Sequence, residues 1–254
     1  MQLTSTRATA TIDLQGGRLA SLVVDGLELL VTEGEKPTRW GSFPMVPWAG
    51  RLPFGKLEFG GVTYDFPITS PPHANHGTAM HAQWRTVGPG RIETALAPPW
   101  PFGGRVLQQF ELSDEAFTVT MEVHADSQSM PALMGWHPWY RRQLDRGEPL
   151  ELHFAAEQMY DTDDEQIPTG RLVPVPEGPW DETFVQVTQT PILEWPGALT
   201  VAVTSSFDHW VVFTEPEHAV AIEPQSGAPN DVNRAPHVIE PGGQLGGWMC
   251  LTWG

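Results

Sequence analysis

Glycine and proline, 25 of each in 254 residues, are spread along the whole chain and punctuate it at short intervals. No stretch of about 12 residues keeps an apolar period of 3.6 without meeting one, which excludes long helices and coiled coils. The segments between the breakers alternate instead. Thr9–Leu14 and Leu19–Val24 flank Gln15-Gly16-Gly17-Arg18 and predict a hairpin with a Gly-Gly turn. Arg105–Leu112 and Ala116–Ala125, joined by Ser113-Asp114-Glu115, predict a second. Further strands are expected at 57–66 (with Gly60-Gly61 inside), 151–156, 184–187, 199–204, 209–214, 220–223 and 245–253. Many short antiparallel strands without an internal repeat predict an all-β sandwich or barrel, and 254 residues fit one domain, 1–254.

Charge and cysteine usage narrow the function. A net charge of −17 repels both a phosphate backbone and an anionic lipid surface, so neither nucleic acid nor membrane is an expected partner. The longest apolar runs, Leu27–Val31 and Val201–Val203, are far shorter than the roughly 20 residues a membrane helix needs. Met1–Ala10 has no apolar segment of the signal-peptide kind. The lone Cys250 can form no disulfide within the chain, which favours a cytoplasmic setting, and its apolar neighbours suggest a core position. Asp161-Thr162-Asp163-Asp164-Glu165 resembles the start of a calcium loop but lacks the later Gly and Glu, so a solvated loop is expected.

Four segments place polar groups beside Gly or Pro at strand ends, where a rigid scaffold presents loops. In Pro47-Trp48-Ala49-Gly50-Arg51-Leu52, the Arg51 fork suits sugar hydroxyls or a carboxylate. His73, His76 and His81 lie within nine residues, and their spacing matches neither usual zinc arrangement, so proton chemistry is favoured over metal. In Gly135-Trp136-His137-Pro138-Trp139-Tyr140, Pro138 forces His137 into extended geometry, and its aromatic neighbours suit the C–H face of a sugar. In Ala219-Val220-Ala221-Ile222-Glu223-Pro224-Gln225, a carboxylate ends an apolar strand, where partial desolvation raises its basicity. Each segment also has an ordinary structural reading.

Taken in order, these segments resemble the aldose 1-epimerase (galactose mutarotase-like) family along nearly the whole chain. Asn75-His76-Gly77 with Trp84, Gly135-Trp136-His137-Pro138-Trp139, Ile222-Glu223-Pro224 with Gly227 and Asn230, and Pro241-Gly242-Gly243 correspond to family segments. The resemblance implies a largely antiparallel β-supersandwich that interconverts the anomers of a small free sugar without cofactor or metal. It implies Glu223 as general base, His137 as general acid and His76 as a sugar-binding histidine that stabilises charge at the ring oxygen. Arg51, Asp181, Trp139 and Gln225 fall to sugar binding, with Asp208 as the rival of Asp181.

Two departures stand out. Gly50 replaces the asparagine that usually precedes the arginine, and Arg141-Arg142 follows the aromatic segment, where a basic pair could hold a phosphosugar. A hexose-6-phosphate 1-epimerase is therefore one alternative and a non-catalytic carbohydrate-binding module another. The global charge disfavours a dianion and makes a neutral aldose the expectation.

Overall fold

The computed structural model describes residues 1–254, and its regular structure is almost entirely strand: one four-residue α-turn, Asp231–Arg234, and three single 3-10 turns interrupt it. Every strand ladder is antiparallel. Most strands join one sheet of 17, with three separate two-stranded pairs. The predicted hairpins form as Ala8–Asp13 with Arg18–Val24 and as Arg105–Leu112 with Ala116–His124. A third closes through Gly60-Gly61 between Lys56–Phe59 and Val62–Asp65. The fold is the all-β, largely antiparallel architecture that the punctuation implied.

Strand chemistry sorts itself by burial. Ala116–His124 alternates strictly, so Phe117, Val119, Met121 and Val123 enter the core while Thr118, Thr120 and Glu122 face outward. This period-2 pattern holds the register of a half-buried strand, because a slip of one residue would exchange the two faces. Fifty-eight buried residues form one continuous hydrophobic cluster. Gly135–Arg141 and Ala219–Gln225 behave differently: both are buried on both faces, save Arg141 at the end. One face packs on the core and the other lines a cavity, so polar residues in these strands are enclosed without being part of the apolar interior.

Four expectations are corrected. The strand predicted at 151–156 runs Glu151–Thr162, and the one at 184–187 runs Asp181–Trp195. Register shifts near Ala155 and a left-handed Gln186 (φ 54°) hide the alternation in these long strands. Cys250 is half-buried, not in the core, and its Sγ lies 3.3 Å from Thr118 Oγ1 across the Ala116–His124 and Gln244–Trp253 pair. Of the acidic run, Asp161 and Thr162 belong to a strand, and Asp163 closes the following turn by accepting the amides of Glu165 and Ile167.

Candidate active site

The floor of the cavity is a piece of sheet whose register can be read residue by residue. Phe43, His137, Glu223, Val211 and Thr183 are successive cross-strand partners on five adjacent strands. Directly paired residues project on the same side of a sheet, so this row presents an imidazole and a carboxyl side by side, with the Thr183 hydroxyl two strands beyond the carboxyl. The neighbouring row brings Trp139, Ala221, Phe213 and Asp181 together, and Gly135, Gln225 and His209 form the row on the other side. Glu223 Oε1 stands 3.1 Å from His137 Nε2, and both side chains are about 95% enclosed. Gln225 donates from Nε2 to Glu223 Oε2 at 3.3 Å.

Loops build the rim. Arg51-Leu52 pairs with Ala74-Asn75, which sets Arg51 and Asn75 opposite one another. The chain then turns through two consecutive left-handed residues, His76 (φ 62°) and Gly77 (φ 72°). Only glycine fits at 77, because a Cβ there would lie 2.1 Å from the Val46 carbonyl oxygen. The His76 amide donates to Gly50 O, and those of Thr78 and Ala79 donate to Val46 O, which ties the His76 turn to the Arg51 segment. Gly50, the departure from the family pattern, is itself left-handed, and a Cβ would meet Pro229 at 2.6 Å. Arg51 takes its orientation from elsewhere: Nη2 donates to Gln166 Oε1 at 2.7 Å and to Asp181 Oδ2 at 3.2 Å.

The cavity, open on one side, has a volume of about 400 Å³, of a size to hold one small polar molecule. Nine buried side-chain polar atoms in the protein have no hydrogen-bond partner, and five of them belong to residues lining this cavity: Asn75, His76, His137, Glu182 and Gln225. Burying polar groups unpaired costs free energy, so their concentration here marks the cavity as a candidate site for a polar ligand.

Burial sets the protonation. Glu223 is pushed well above the usual carboxylate range by desolvation first and by the Asp181 charge second, against a smaller opposing effect of Arg51. His137 is pushed well below the usual imidazole range by desolvation, then by His76 and Arg39. His76 is lowered to about 3 by desolvation, then by Arg51 and Arg39, so it is neutral at physiological pH. Its ring meets His137 edge to face at 5.2 Å. The histidine that the sequence resemblance gives as a charge-stabilising group is thus a neutral imidazole in the fold.

The cavity brings together Glu223, His137, His76, Arg51, Asp181 and Gln225, all anticipated from sequence. Asp208 lies elsewhere, exposed and 2.7 Å from His209 Nδ1. Trp139 reaches the cavity but is 1% exposed, and its ring stacks on His137 and His218. It supports the imidazole from behind and offers no open platform. His73 joins loops, its Nδ1 accepting the Phe54 amide and its Nε2 3.3 Å from Glu165 O, while His81 stands on the rim. Arg141 and Arg142 are outside the lining. Arg142 donates to the carbonyls of Thr214 and Pro216, and Arg141 lies 3.9 Å from Asp145, which removes the basic pair as a phosphate anchor.

Sequence reasoning passed over Thr183, Gln166, Lys36 and Arg39, all of which line the cavity. Thr183 had a signal: it sits two residues beyond Asp181 and shares its face once 181–195 is a strand. Gln166 had none, since it reaches Arg51 from a turn 115 residues away.

The family model described as Aldose 1-epimerase matches residues 1–232. No curated protein sequence matches. Among solved structures, this chain is similar to a galactose mutarotase-like protein from Clostridium acetobutylicum, at 17% identity, with 100% of this chain and 94% of that one covered and a TM-score of 0.86. The GalM/aldose epimerase homologue from C. elegans matches at 17% identity over 100% and 98%, TM-score 0.82. A galactose mutarotase-like protein from Lactobacillus casei matches at 17% identity over 100% and 99%, also with a TM-score of 0.82. At these identities the likeness is one of fold.

Proposed function

The chain belongs to the aldose 1-epimerase family, and on that premise we propose that it interconverts the α and β anomers of an aldose by acid–base opening and closing of the sugar ring. The observation that carries this reading is the enclosed contact between Glu223 and His137 on the cavity floor. Opening a hemiacetal takes a proton from the C1 hydroxyl and gives one to the ring oxygen, two atoms bonded to the same carbon. A carboxyl and an imidazole on neighbouring strands reach two such atoms at once.

Desolvation favours carboxylic acid with neutral imidazole, one proton transfer away from carboxylate with imidazolium across the 3.1 Å contact. A sugar that supplies hydroxyls to this site replaces lost hydration of the carboxylate and draws the pair towards the charged form. In that form Glu223 removes the O1 proton while His137 protonates the ring oxygen, and the C1–O5 bond breaks. Rotation about C1–C2 turns the aldehyde over, and the same groups with roles exchanged close the ring. His76 donates or accepts a hydrogen bond near the ring oxygen, and Arg51, Asp181, Asn75, Gln225 and Thr183 bind hydroxyls. None of these steps calls on a nucleophile, and a cytoplasmic setting suits the single cysteine.

Anomer-resolved proton NMR of freshly dissolved α-aldoses tests the reading. Exchange to the β anomer is accelerated by the protein. Saturable sugar binding without acceleration makes the protein a carbohydrate-binding module instead.

A further inference from the structure

His137 is enclosed, yet it lacks the contact that usually fixes an acid–base histidine. Its Nε2 stands 3.1 Å from Glu223, and its Nδ1 has no hydrogen-bond partner. Where a carboxylate or a backbone carbonyl holds the second nitrogen, that contact sets the orientation of the ring and stabilises the imidazolium. Here aromatic rings surround the imidazole instead. Phe43 lies nearly parallel to it, with centroids 4.8 Å apart and planes at 28°, and Trp139 does the same at 4.9 Å and 23°.

Strand register produces this arrangement. Phe43 is directly opposite His137 in the pairing of Ser42–Met45 with Gly135–Arg141, and Trp139 is two residues further along the strand of His137, so the three side chains share one side of the sheet. Trp139 is anchored by donating from Nε1 to the carbonyl of Thr38. Phe43 is fully buried and is not one of the residues lining the cavity. It also packs on the second histidine, 5.6 Å from the His76 ring with planes at 66°. A ring that touches both imidazoles without reaching the ligand can influence the chemistry only through them.

The charges around His137 give that influence a purpose. Glu223 is the one acid in contact with it, and His76, which meets it edge to face, is neutral. Beside Trp139 stand His218 and Arg39, the guanidinium 5.5 Å from the indole centroid. Arg18 lies 5.6 Å from the Phe43 centroid, but its nearer ring is Trp40 at 4.0 Å. Desolvation, then His76 and Arg39, oppose a positive charge on His137. The face of an aromatic ring attracts a cation, most strongly where water is excluded, so two stacked rings favour the imidazolium. They do so without adding an acceptor that would compete with the sugar for its protons.

Resting on the epimerase reading, we infer that Phe43, together with Trp139, is a positioning residue for His137: its ring orients the imidazole and stabilises the imidazolium that forms when the Glu223 carboxyl proton passes to Nε2. The step balances within the pair. Glu223 becomes a carboxylate, His137 becomes an imidazolium, and no further reactant enters.

The test replaces Phe43 by mono-, di- and trifluorophenylalanine, which draw electron density from the ring face at nearly constant shape, and follows aldose anomer exchange by NMR. The kcat should fall stepwise along the series, by about tenfold or more at the trifluoro ring, with KM little changed because Phe43 does not line the cavity. Phe43→Leu, which stays apolar but has no ring, should lose at least as much. Trifluorophenylalanine at Phe117, a core position on a strand away from the cavity, should leave kcat as it is. A kcat that ignores fluorination, a loss carried by KM, or an equal loss from position 117 overturns the inference, whatever Phe43→Leu does. If the wild type epimerises no aldose, the epimerase reading fails by itself, and nitrogen NMR of the histidine-labelled protein decides. The pH at which His137 takes up its proton should then move down stepwise along the fluorinated series. A ring that titrates at one pH throughout, or not at all in the folded protein, overturns the role of Phe43.

Discussion

The floor of the cavity and its rim are built in two different ways. The floor is sheet: His137, Glu223, Thr183 and Asp181 hold their positions through strand register, and the first three are nearly inaccessible to solvent. The rim is built from short, irregular segments: Arg51, His76, Gln166 and Arg39 come from four stretches of chain joined by a few side-chain hydrogen bonds and left-handed turns rather than by a continuous ladder. A sheet places neighbouring side chains about 5 Å apart with little freedom, which is what a two-point proton transfer requires. Loops can change length and sequence without disturbing the sheet, which is what selecting among sugars requires. On the epimerase reading, the floor would carry the chemistry and the rim the affinity.

Glu223→Gln breaks the floor and carries the largest expected effect. It keeps the shape and the sugar contacts but removes the base, so kcat falls by roughly 10² to 10⁴ with KM little changed, as steady-state anomer exchange would record. A variant within threefold of the wild type would contradict the assignment. Arg51→Ala breaks the rim. One charge-assisted contact is worth about 1.5–3 kcal/mol, so KM should rise by about tenfold to a hundredfold while kcat moves less. If kcat took the whole loss, the division between floor and rim would be wrong.

His76 sharpens the comparison through pH. Its folded value of about 3 lies below the ordinary imidazole value of 6.5, so the unfolded chain takes up the proton first as pH falls. The stability it contributes is complete above 6.5 and is lost progressively between 6.5 and 3. Glu223, whose value is raised, works in the opposite direction, losing its contribution as pH rises above 4.5. Comparing His76→Gln with wild type isolates the histidine. The acid-side slope of unfolding free energy, from urea titrations at pH 7 and pH 5, should be shallower by up to about 1.4 kcal/mol per pH unit. An unchanged slope would mean that His76 is not held neutral.

Gln166→Ala tests a rim contact that only the tertiary structure reveals. Losing one hydrogen bond to Arg51 is worth about 0.5–1.5 kcal/mol, so KM should rise a few-fold, and a larger loss in kcat would place Gln166 among the floor residues. Asp208→Asn sets the baseline. Its carboxylate meets only His209 at the surface, so kcat/KM should stay within error of wild type, and a tenfold fall would restore Asp208 as the sugar-binding acid.

Much of this molecule is legible in one dimension. The Gly-Gly turn at 16–17 and the Ser113-Asp114-Glu115 connection were readable as hairpins because turn chemistry is local. Strands 151–162 and 181–195 were read short because bulges break the period that reveals a strand. Trp139 looked like an open platform, since sequence cannot say that both His137 and His218 stack on its ring. Arg141-Arg142 looked like an anion site, since sequence cannot say that Arg142 is engaged by the carbonyls of Thr214 and Pro216.

By itself the sequence determined the strand grammar, the exclusion of long helices and the order of the four polar segments, because breakers, alternation and turn residues act over a few bonds. Tertiary structure decided which carboxylate meets Arg51, 130 residues away, and which basic residues face the cavity. It also decided how far burial moves the protons of Glu223 and His137. Those outcomes depend on distances between remote residues and on exclusion of water, and neither quantity exists until the sheet has closed.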